Sequence, residues 1–372
     1  MAIPRVTDLG IDEIKTLEKL RPYSVIVEKR GESAVAVDAY GRIIAGPSTD
    51  HASVIQAALQ KGGLVFVKAG TYILNKRIVF DKNVALVGES ASIYTQPFTV
   101  KFVVNNTTGG FLLTLSSRLE NCVIEAAEGL VPDTAIQIEY AYFAAVRDVK
   151  IHGPFKVGIG INGYAWAFWN LISHVDIDRD GDVIAGSTGI KLYTTTQGVE
   201  PNENYFQFIR VRNYDWAVDI DAGNHEMFIG ITLMECNNGI RVNTVWNEVY
   251  GIRDELYSGA YLVYETDNAG YNLYTGVNNN KQVRLRAGGK SHFWDLYHGT
   301  DLARIVGTDF MPAGATSKVV WHGLPVTPSK VFVTPGGNLG AVWVSNITST
   351  TFTVNCSNAP ATDTPFYWCA EA

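Results

Sequence analysis

Between residues 135 and 286 the chain repeats itself: a short strand with alternating apolar residues returns at a period of roughly 20 to 30 residues, the range of solenoid folds. The clearest copies are Ala135-Ile136-Gln137-Ile138-Glu139, Gly158-Ile159-Gly160-Ile161-Asn162, Gly189-Ile190-Lys191-Leu192-Tyr193, Ala217-Val218-Asp219-Ile220-Asp221 and Gly239-Ile240-Arg241-Val242-Asn243. Gln282-Val283-Arg284-Leu285-Arg286 follows the same pattern. Aliphatic residues take the same two places in each, and a period of two sends them all to one face. Each repeat holds a second strand, as in Val149-Lys150-Ile151, Val175-Asp176-Ile177, Ile209-Arg210-Val211 and Ile231-Thr232-Leu233. Coils of two or three strands, each hydrogen-bonding the next, make a parallel β-helix.

Such a stack has an open first coil that exposes both core and strand edge. Just ahead of the repeats lies one short amphipathic segment. Thr49 or Asp50 is placed to cap a helix over 50–61, with Val54, Ile55, Ala58 and Leu59 on one face and Gly62-Gly63 ending it. This helix is expected to close the first coil. A strand, a Gly turn and a strand follow in Leu64-Val65-Phe66-Val67-Lys68-Ala69-Gly70-Thr71-Tyr72-Ile73-Leu74.

From Asp50 through Ile55-Gln56-Ala57-Ala58 to Gly70-Thr71-Tyr72 the chain resembles the entry segment of the pectate lyase superfamily, which includes polysaccharide-degrading enzymes and viral tail spikes. The resemblance implies an all-β, right-handed, single-stranded parallel β-helix over 49–310. It implies little about activity, since folds host many chemistries.

Residues 1–48 read as a separate lead, with a short helix over 12–20 and a hairpin pairing Ser24-Val25-Ile26-Val27 with Ala34-Val35-Ala36-Val37 around Gly31. Met311-Pro312-Ala313-Gly314-Ala315 reads as a linker, and alternating strands beyond it predict an antiparallel β-sandwich over 316–372. That pattern is similar to the C-terminal modules of phage tail fibres and tail spikes, which implies trimerisation or sugar binding.

A formal net charge of -7 lacks the basic face that phosphate binding requires, so nucleic acid is not an expected partner. Neither a membrane-spanning apolar run nor an apolar leader core in 1–13 is found, so neither membrane insertion nor an export signal within this sequence is expected. The 8 Trp, 18 Tyr and 16 Phe exceed what a core of stacked aliphatics uses, which places some on the surface.

Aligned coils stack outward residues at roughly 4.8 Å. One row reads Glu139, Asn162, Tyr193, Asp221, Asn243, and its neighbour Gln137, Gly160, Lys191, Asp219, Arg241. Carboxylates, amides and an aromatic ring on one face suit a saccharide. Cleaving a glycosidic bond by acid and base needs two carboxyls. Asp219 and Asp221, roughly 6–7 Å apart along one strand, are the candidate pair, with His225, Glu226 and Arg241 completing the site. The competing reading pairs Asp219 with Lys191 and Arg241 as a surface ladder. Tyr164, Trp166, Phe168 and Trp169 fit either sugar stacking or packing beneath a loop. Phe293-Trp294 and Tyr297-His298 read as the seam to the C-terminal domain.

Asp176-Ile177-Asp178-Arg179-Asp180-Gly181-Asp182 has the D-x-D-x-D-G spacing of a Ca²⁺ loop, but Ser187 stands where a helix-flanked loop has its bidentate Glu. Both a metal-free acidic turn and a weak Ca²⁺ site through Asp176, Asp178, Asp180 and Asp182 remain open. The Asn-Thr-Asp, Asp-Asp, Gly-His-Gly and Arg-Ile-Lys motifs of the polygalacturonate hydrolases are not intact here. Lyases of the fold use an Arg or Lys base, a part open to Arg241 or Lys191. Cys356 and Cys369 flank an expected hairpin and fit either a disulfide or two thiols; Cys122 and Cys236 read as core. The resulting expectation is an extracellular or virion-associated, polysaccharide-binding homotrimer that cleaves its glycan, or else a non-catalytic structural or receptor-binding spike.

Overall fold

The computed structural model describes residues 23–89, 99–257, 260–266, 268–279, 284–286, 292–294, 304–322 and 327–371. The helix expected over 12–20, together with Gln282, Val283, Tyr297 and His298, lies outside them.

Two long parallel sheets carry the repeats. One takes the first strand of each coil, running from Ile78–Phe80 through Gly109–Leu113, Thr134–Tyr142, Val157–Phe168, Thr188–Tyr193, Trp216–Ile220, Asn238–Val242 and Tyr261–Glu265 to Arg284–Arg286. The other takes the second strands, among them Arg118–Ala126, Ala145–His152, Leu171–Asp178, Tyr205–Arg212, Met227–Met234, Glu248–Glu255 and Leu273–Asn279. Successive strands alternate between the sheets, so each coil feeds both, and parallel crossovers of this kind wind right-handed.

The register matches the sequence rows. Ile136, Ile159, Ile190, Val218, Ile240 and Val263 pair in order, as do Val149, Val175, Ile209, Ile231 and Ile252 on the second sheet. These side chains are 1% exposed or less and form one continuous core. Each contributes about 1.5–3 kcal/mol on burial.

A bend that the sequence reading did not foresee breaks every second strand. Asn121, Asp148, His174, Phe208, Gly230, Gly251 and Gly276 take φ between 51° and 71°, and the pairing skips them. A single left-handed residue per coil thus turns the chain within the sheet.

Helix α1 (His51–Gln60) caps the first coil. Asp50 is its N-cap and accepts from Ser53 N. The Gln56 amide replaces a missing strand: Oε1 accepts from Val79 N and Nε2 donates to Val79 O, both at 2.8 Å. His51 Nδ1 likewise accepts from Ile73 N at 2.9 Å. The edge that would recruit another chain is therefore occupied. Val25–Arg30 and Ser33–Asp38 form the expected hairpin. Residues from Tyr23 onward are not a separate lead, however: Val25, Ile26 and Val27 pair in parallel with Val65, Phe66 and Val67, and Val25 and Val27 join the main core.

The C-terminal domain is two three-stranded antiparallel sheets around Met311, Val320, Phe352, Val354, Phe366 and Trp368. Arg304–Met311 belongs to it, paired along its length with Thr364–Glu371, so the domain begins ahead of the linker expected at 311–315. Apolar alternation alone does not distinguish a last coil from a first antiparallel strand. Cys356 and Cys369 are not joined in a disulfide. Their strands lie in different sheets, with Cys356 turned into the core and Cys369 on the outward face beside exposed Tyr367.

Candidate functional site

The outward rows of the first sheet form as the sequence predicts, but their chemistry differs from the catalytic expectation. Asp219 is 1% exposed and clamped by Arg241, which donates Nε to Oδ1 at 2.7 Å and Nη2 to Oδ2 at 2.6 Å. This hydrogen-bonded partner raises the Arg241 pKa above its usual value. The guanidinium also lies 5.4 Å above the Trp216 ring. Asp221 is exposed and accepts from Asn243 Nδ2 at 3.3 Å. One carboxylate of the supposed pair is thus spent in a buried ion pair. Lys191 does not join it and lies 5.6 Å over the Tyr193 ring.

At the other end of the rows, Asn162 Nδ2 donates to Glu139 Oε1 and to Thr195 Oγ1, each at 3.2 Å. Tyr193 reaches across Gly160 and donates its hydroxyl to Gln137 Oε1 at 3.1 Å. Burial raises the Tyr193 phenol pKa, with Glu139 adding to the shift. A Cβ at Gly160 would meet Gln137 Oε1 at 2.6 Å, so a larger residue there would displace that end of the Gln137 side chain and its bond to Tyr193.

Glu226 is not a surface acid. It is fully buried in a column of side chains that each cap the preceding coil. Asn170 Oδ1 accepts from Ala144 N, Asn204 Oδ1 from Asn170 N, Glu226 Oε2 from Asn204 N, Asn247 Oδ1 from Glu226 N, and Asn272 Oδ1 from Asn247 N, all at 2.8–3.1 Å. The ladder satisfies backbone donors where the coil leaves one sheet for the other. Glu226 stands where its neighbours have Asn, and burial pushes its carboxyl well above the ordinary range despite the bonds from Asn204. A turn position next to His225 gave no sign of this burial in the sequence.

The residue before each ladder member takes a left-handed bend: Phe143, Trp169, Glu203, His225, Trp246 and Tyr271, with φ of 53–64°. All six are exposed. The bend sends one side chain per coil outward, and coil stacking brings successive ones to ring-stacking distance. Phe143 stacks on Trp169 at 5.3 Å, His225 on Trp246 at 6.4 Å and Trp246 on Tyr271 at 4.6 Å. The Trp169 indole N–H donates to Glu203. Trp166, 46% exposed, packs against Phe168, which in turn meets Trp169 and Tyr142. The cluster at 164–169 is therefore a surface patch continuous with this edge. A shallow cleft of about 300 Å³ opens on it among Phe168, Trp169, Asn202, Glu203, Asn224 and His225. The sequence did carry a signal for the edge, in the repeated pairs Trp169-Asn170, Trp246-Asn247 and Tyr271-Asn272, each just before a second strand.

The acidic run does not converge. Asp176 lies on a strand and accepts from Arg210, Nε to Oδ1 at 2.7 Å. Asp178 takes Asp180 N at 3.1 Å and faces Arg212, Asp180 is open to solvent with His152 at 3.6 Å, and Asp182 gives its backbone carbonyl to Arg179. Extended geometry separates Asp176 from Asp178, and arginines occupy their oxygens. Among the described residues no group of three His, Cys, Asp or Glu is placed to hold a metal.

A stacked, aromatic-edged parallel β-helix is thus the class that fold and surface define. No protein-family model and no curated protein matches the sequence. Among solved structures the chain is similar to ORF18 of Geobacillus virus E2, at 11% identity and a TM-score of 0.39, over 95% of this chain and 77% of that one. It is also similar to the tailspike protein gp49 of Pseudomonas phage LKA1, at 10% identity and a TM-score of 0.37, over 90% and 69%. For the A-module of the Azotobacter vinelandii mannuronan C-5 epimerase AlgE6 the values are 10% and 0.32, over 66% and 90%. The fold assignment rests on the strand pairing itself. Among the described residues no helix is long and apolar enough to cross a membrane.

Proposed function

We propose that this protein binds polysaccharide along its aromatic edge, as a virion-associated or extracellular β-helix. The exposed column of Phe143, Trp169, His225, Trp246 and Tyr271 carries the reading. Stacked on one another, the rings present an apolar rim to the C–H groups of a sugar chain, while Glu203, Asn202 and Asn224 supply hydrogen bonds to hydroxyls. Assembly as a homotrimer, with the C-terminal sandwich as trimerisation or carbohydrate-binding module, belongs to the same proposal.

Cleavage is the second reading, favoured by one observation: the Glu203 carboxylate and the His225 imidazole both line the cleft. The test is incubation with acidic and neutral polysaccharides, with and without Ca²⁺, following binding, reducing ends and the absorbance of unsaturated uronates. Binding that weakens at least tenfold in Trp246→Ala, without products, supports the adhesive reading. Reducing ends without the absorbance mean hydrolysis, and the absorbance means elimination. If no polysaccharide is bound or cut, the proposal fails.

A further inference from the structure

The ring column on the aromatic edge has one break. Of the six left-handed positions that precede the ladder, five carry rings and one carries Glu203. Phe143 covers one face of Trp169, and Trp246 stands against one face of His225. The Glu203 coil lies between Trp169 and His225, and among the described residues no ring is stacked there. Parallel coils advance by roughly 4.8 Å each, so the two rings stand two steps, roughly 9–10 Å, apart. That is about twice the 4.6 Å between the stacked rings of Trp246 and Tyr271. The gap therefore has the thickness of one inserted group with a ring on either side. The cleft of about 300 Å³ opens at this place, lined by Trp169, Glu203 and His225 together with Phe168, Asn202 and Asn224.

The charge at the break is not cancelled. On the strand faces, acids are matched by arginines of a neighbouring coil: Asp176 by Arg210, Asp219 by Arg241 and Glu235 by Arg212. Glu203 instead takes the Trp169 indole N–H, a neutral donor, on Oε2 alone. Glu200 likewise takes Asn224 Nδ2, from a cleft-lining residue, at 3.1 Å. Among the described residues neither carboxylate is paired with Lys or Arg, and neither Lys nor Arg lines the cleft. His225 is the single basic side chain on its wall.

An exposed carboxylate beside the open face of an indole recognises a cation, because an ammonium group gains both the charge of the acid and the quadrupole of the ring. A uronate in the same place sets like charges against each other, and an uncharged sugar leaves Glu203 without a charged partner. Resting on the reading of this edge as a polysaccharide-binding surface, we infer that the break is a subsite for an amino sugar with a free ammonium group. Its nitrogen sits between Trp169 and His225, against Glu203.

Glu203→Gln keeps the side-chain length and an oxygen for the indole N–H, so it removes the charge alone. The full chain is titrated calorimetrically with hexamers of glucosamine, N-acetylglucosamine, glucose and galacturonate, in mildly acidic, low-salt buffer that protonates the glucosamine amines. The glucosamine hexamer is expected to bind at least tenfold tighter than the other three. Glu203→Gln should abolish that preference while leaving the melting temperature and the affinity for the glucose hexamer unchanged. Equal affinity for the glucosamine and N-acetylglucosamine hexamers, tighter binding of the galacturonate hexamer, or a preference that survives Glu203→Gln refutes the subsite. So does failure of the chain to bind any of the four. Trp246→Ala separates this result from the edge reading. Binding that weakens in Trp246→Ala but shows no preference for the amine sinks the subsite and keeps the edge. Binding of every hexamer unmoved by Trp246→Ala sinks the edge, whatever the preference.

Discussion

Replacing Glu226 by Gln is expected to remove a pH dependence of stability that the buried carboxyl imposes. Burial raises the Glu226 carboxyl well above its ordinary value, so the folded state keeps its proton where the unfolded chain, with a pKa of about 4.3, has lost it. Between those two pKa values the folded state binds more protons, and unfolding stability falls as pH rises. The contribution is fully present below about pH 4.3 and drains by up to about 1.4 kcal/mol per pH unit until the folded pKa is reached. Over the interval to pH 7 the ceiling is about 4 kcal/mol. Gln keeps an oxygen for Asn204 N and has no proton to lose, while its amide nitrogen replaces the oxygen that accepts from Asn204 Nδ2, a loss of about 1–3 kcal/mol that is the same at every pH. Denaturant midpoints at intervals from pH 4 to 8 measure the difference. The stability of Glu226→Gln relative to the unaltered chain should rise steadily above about pH 4.3 and be constant below it. Parallel curves would show that the carboxyl ionises in place and that the argument from burial is wrong. Glu226→Ala is the control for packing: it strips the acceptor from Asn204 and costs about 1–3 kcal/mol at every pH.

Other expectations follow from the same contacts. Asp219→Asn breaks the bidentate clamp on Arg241 and should cost about 1–3 kcal/mol, read by denaturant unfolding, whereas Asp221→Asn on the exposed row should stay within about 0.5 kcal/mol. Equal stability losses in the two would contradict the buried placement of Asp219. Gln56→Ala frees both polar groups of Val79 at the capped edge. It should destabilise by about 1–3 kcal/mol and promote concentration-dependent association in sedimentation, because an opened edge pairs with other chains. Ile190→Ala, at a fully buried position in mid-stack, should cost about 2–5 kcal/mol; a thermal melt unmoved by it would contradict the core register.

The solenoid was legible because its signal is redundant: a two-residue period repeated coil after coil leaves one register that buries Ile136, Ile159, Ile190 and Ile240 together. The cap was legible from Asp50 and the Gly62-Gly63 stop. The site was legible only in part. Rows of outward residues could be listed, but a sequence does not tell a carboxylate that faces solvent from one claimed by the coil above. Asp219 went to Arg241 and Glu226 went into the ladder. His225, Trp166 and Trp169 were named for chemistry that depends on exposure, and all three are exposed. The acidic run at 176–182 matched a metal loop in spacing, but spacing counts residues along a helix-flanked turn, and here the first three residues are strand.

Both bend columns obey one rule. A parallel coil must turn in the same place on every lap, and here it does so with one left-handed residue whose side chain points away from the core. Packing therefore places few demands on that residue's identity, and the protein uses it in opposite ways. Before the ladder the positions hold Phe143, Trp169, Trp246 and Tyr271, rings that cost little to display because each rests on a neighbouring side chain. In the second sheet the same conformation is given side chains as far as Phe208 and none at Gly230, Gly251 and Gly276. Stability alone predicts glycine or asparagine at all of these positions. The departure from that prediction along the aromatic edge marks the surface where binding is proposed. It also explains why surface function can diverge on this scaffold while its core register stays fixed.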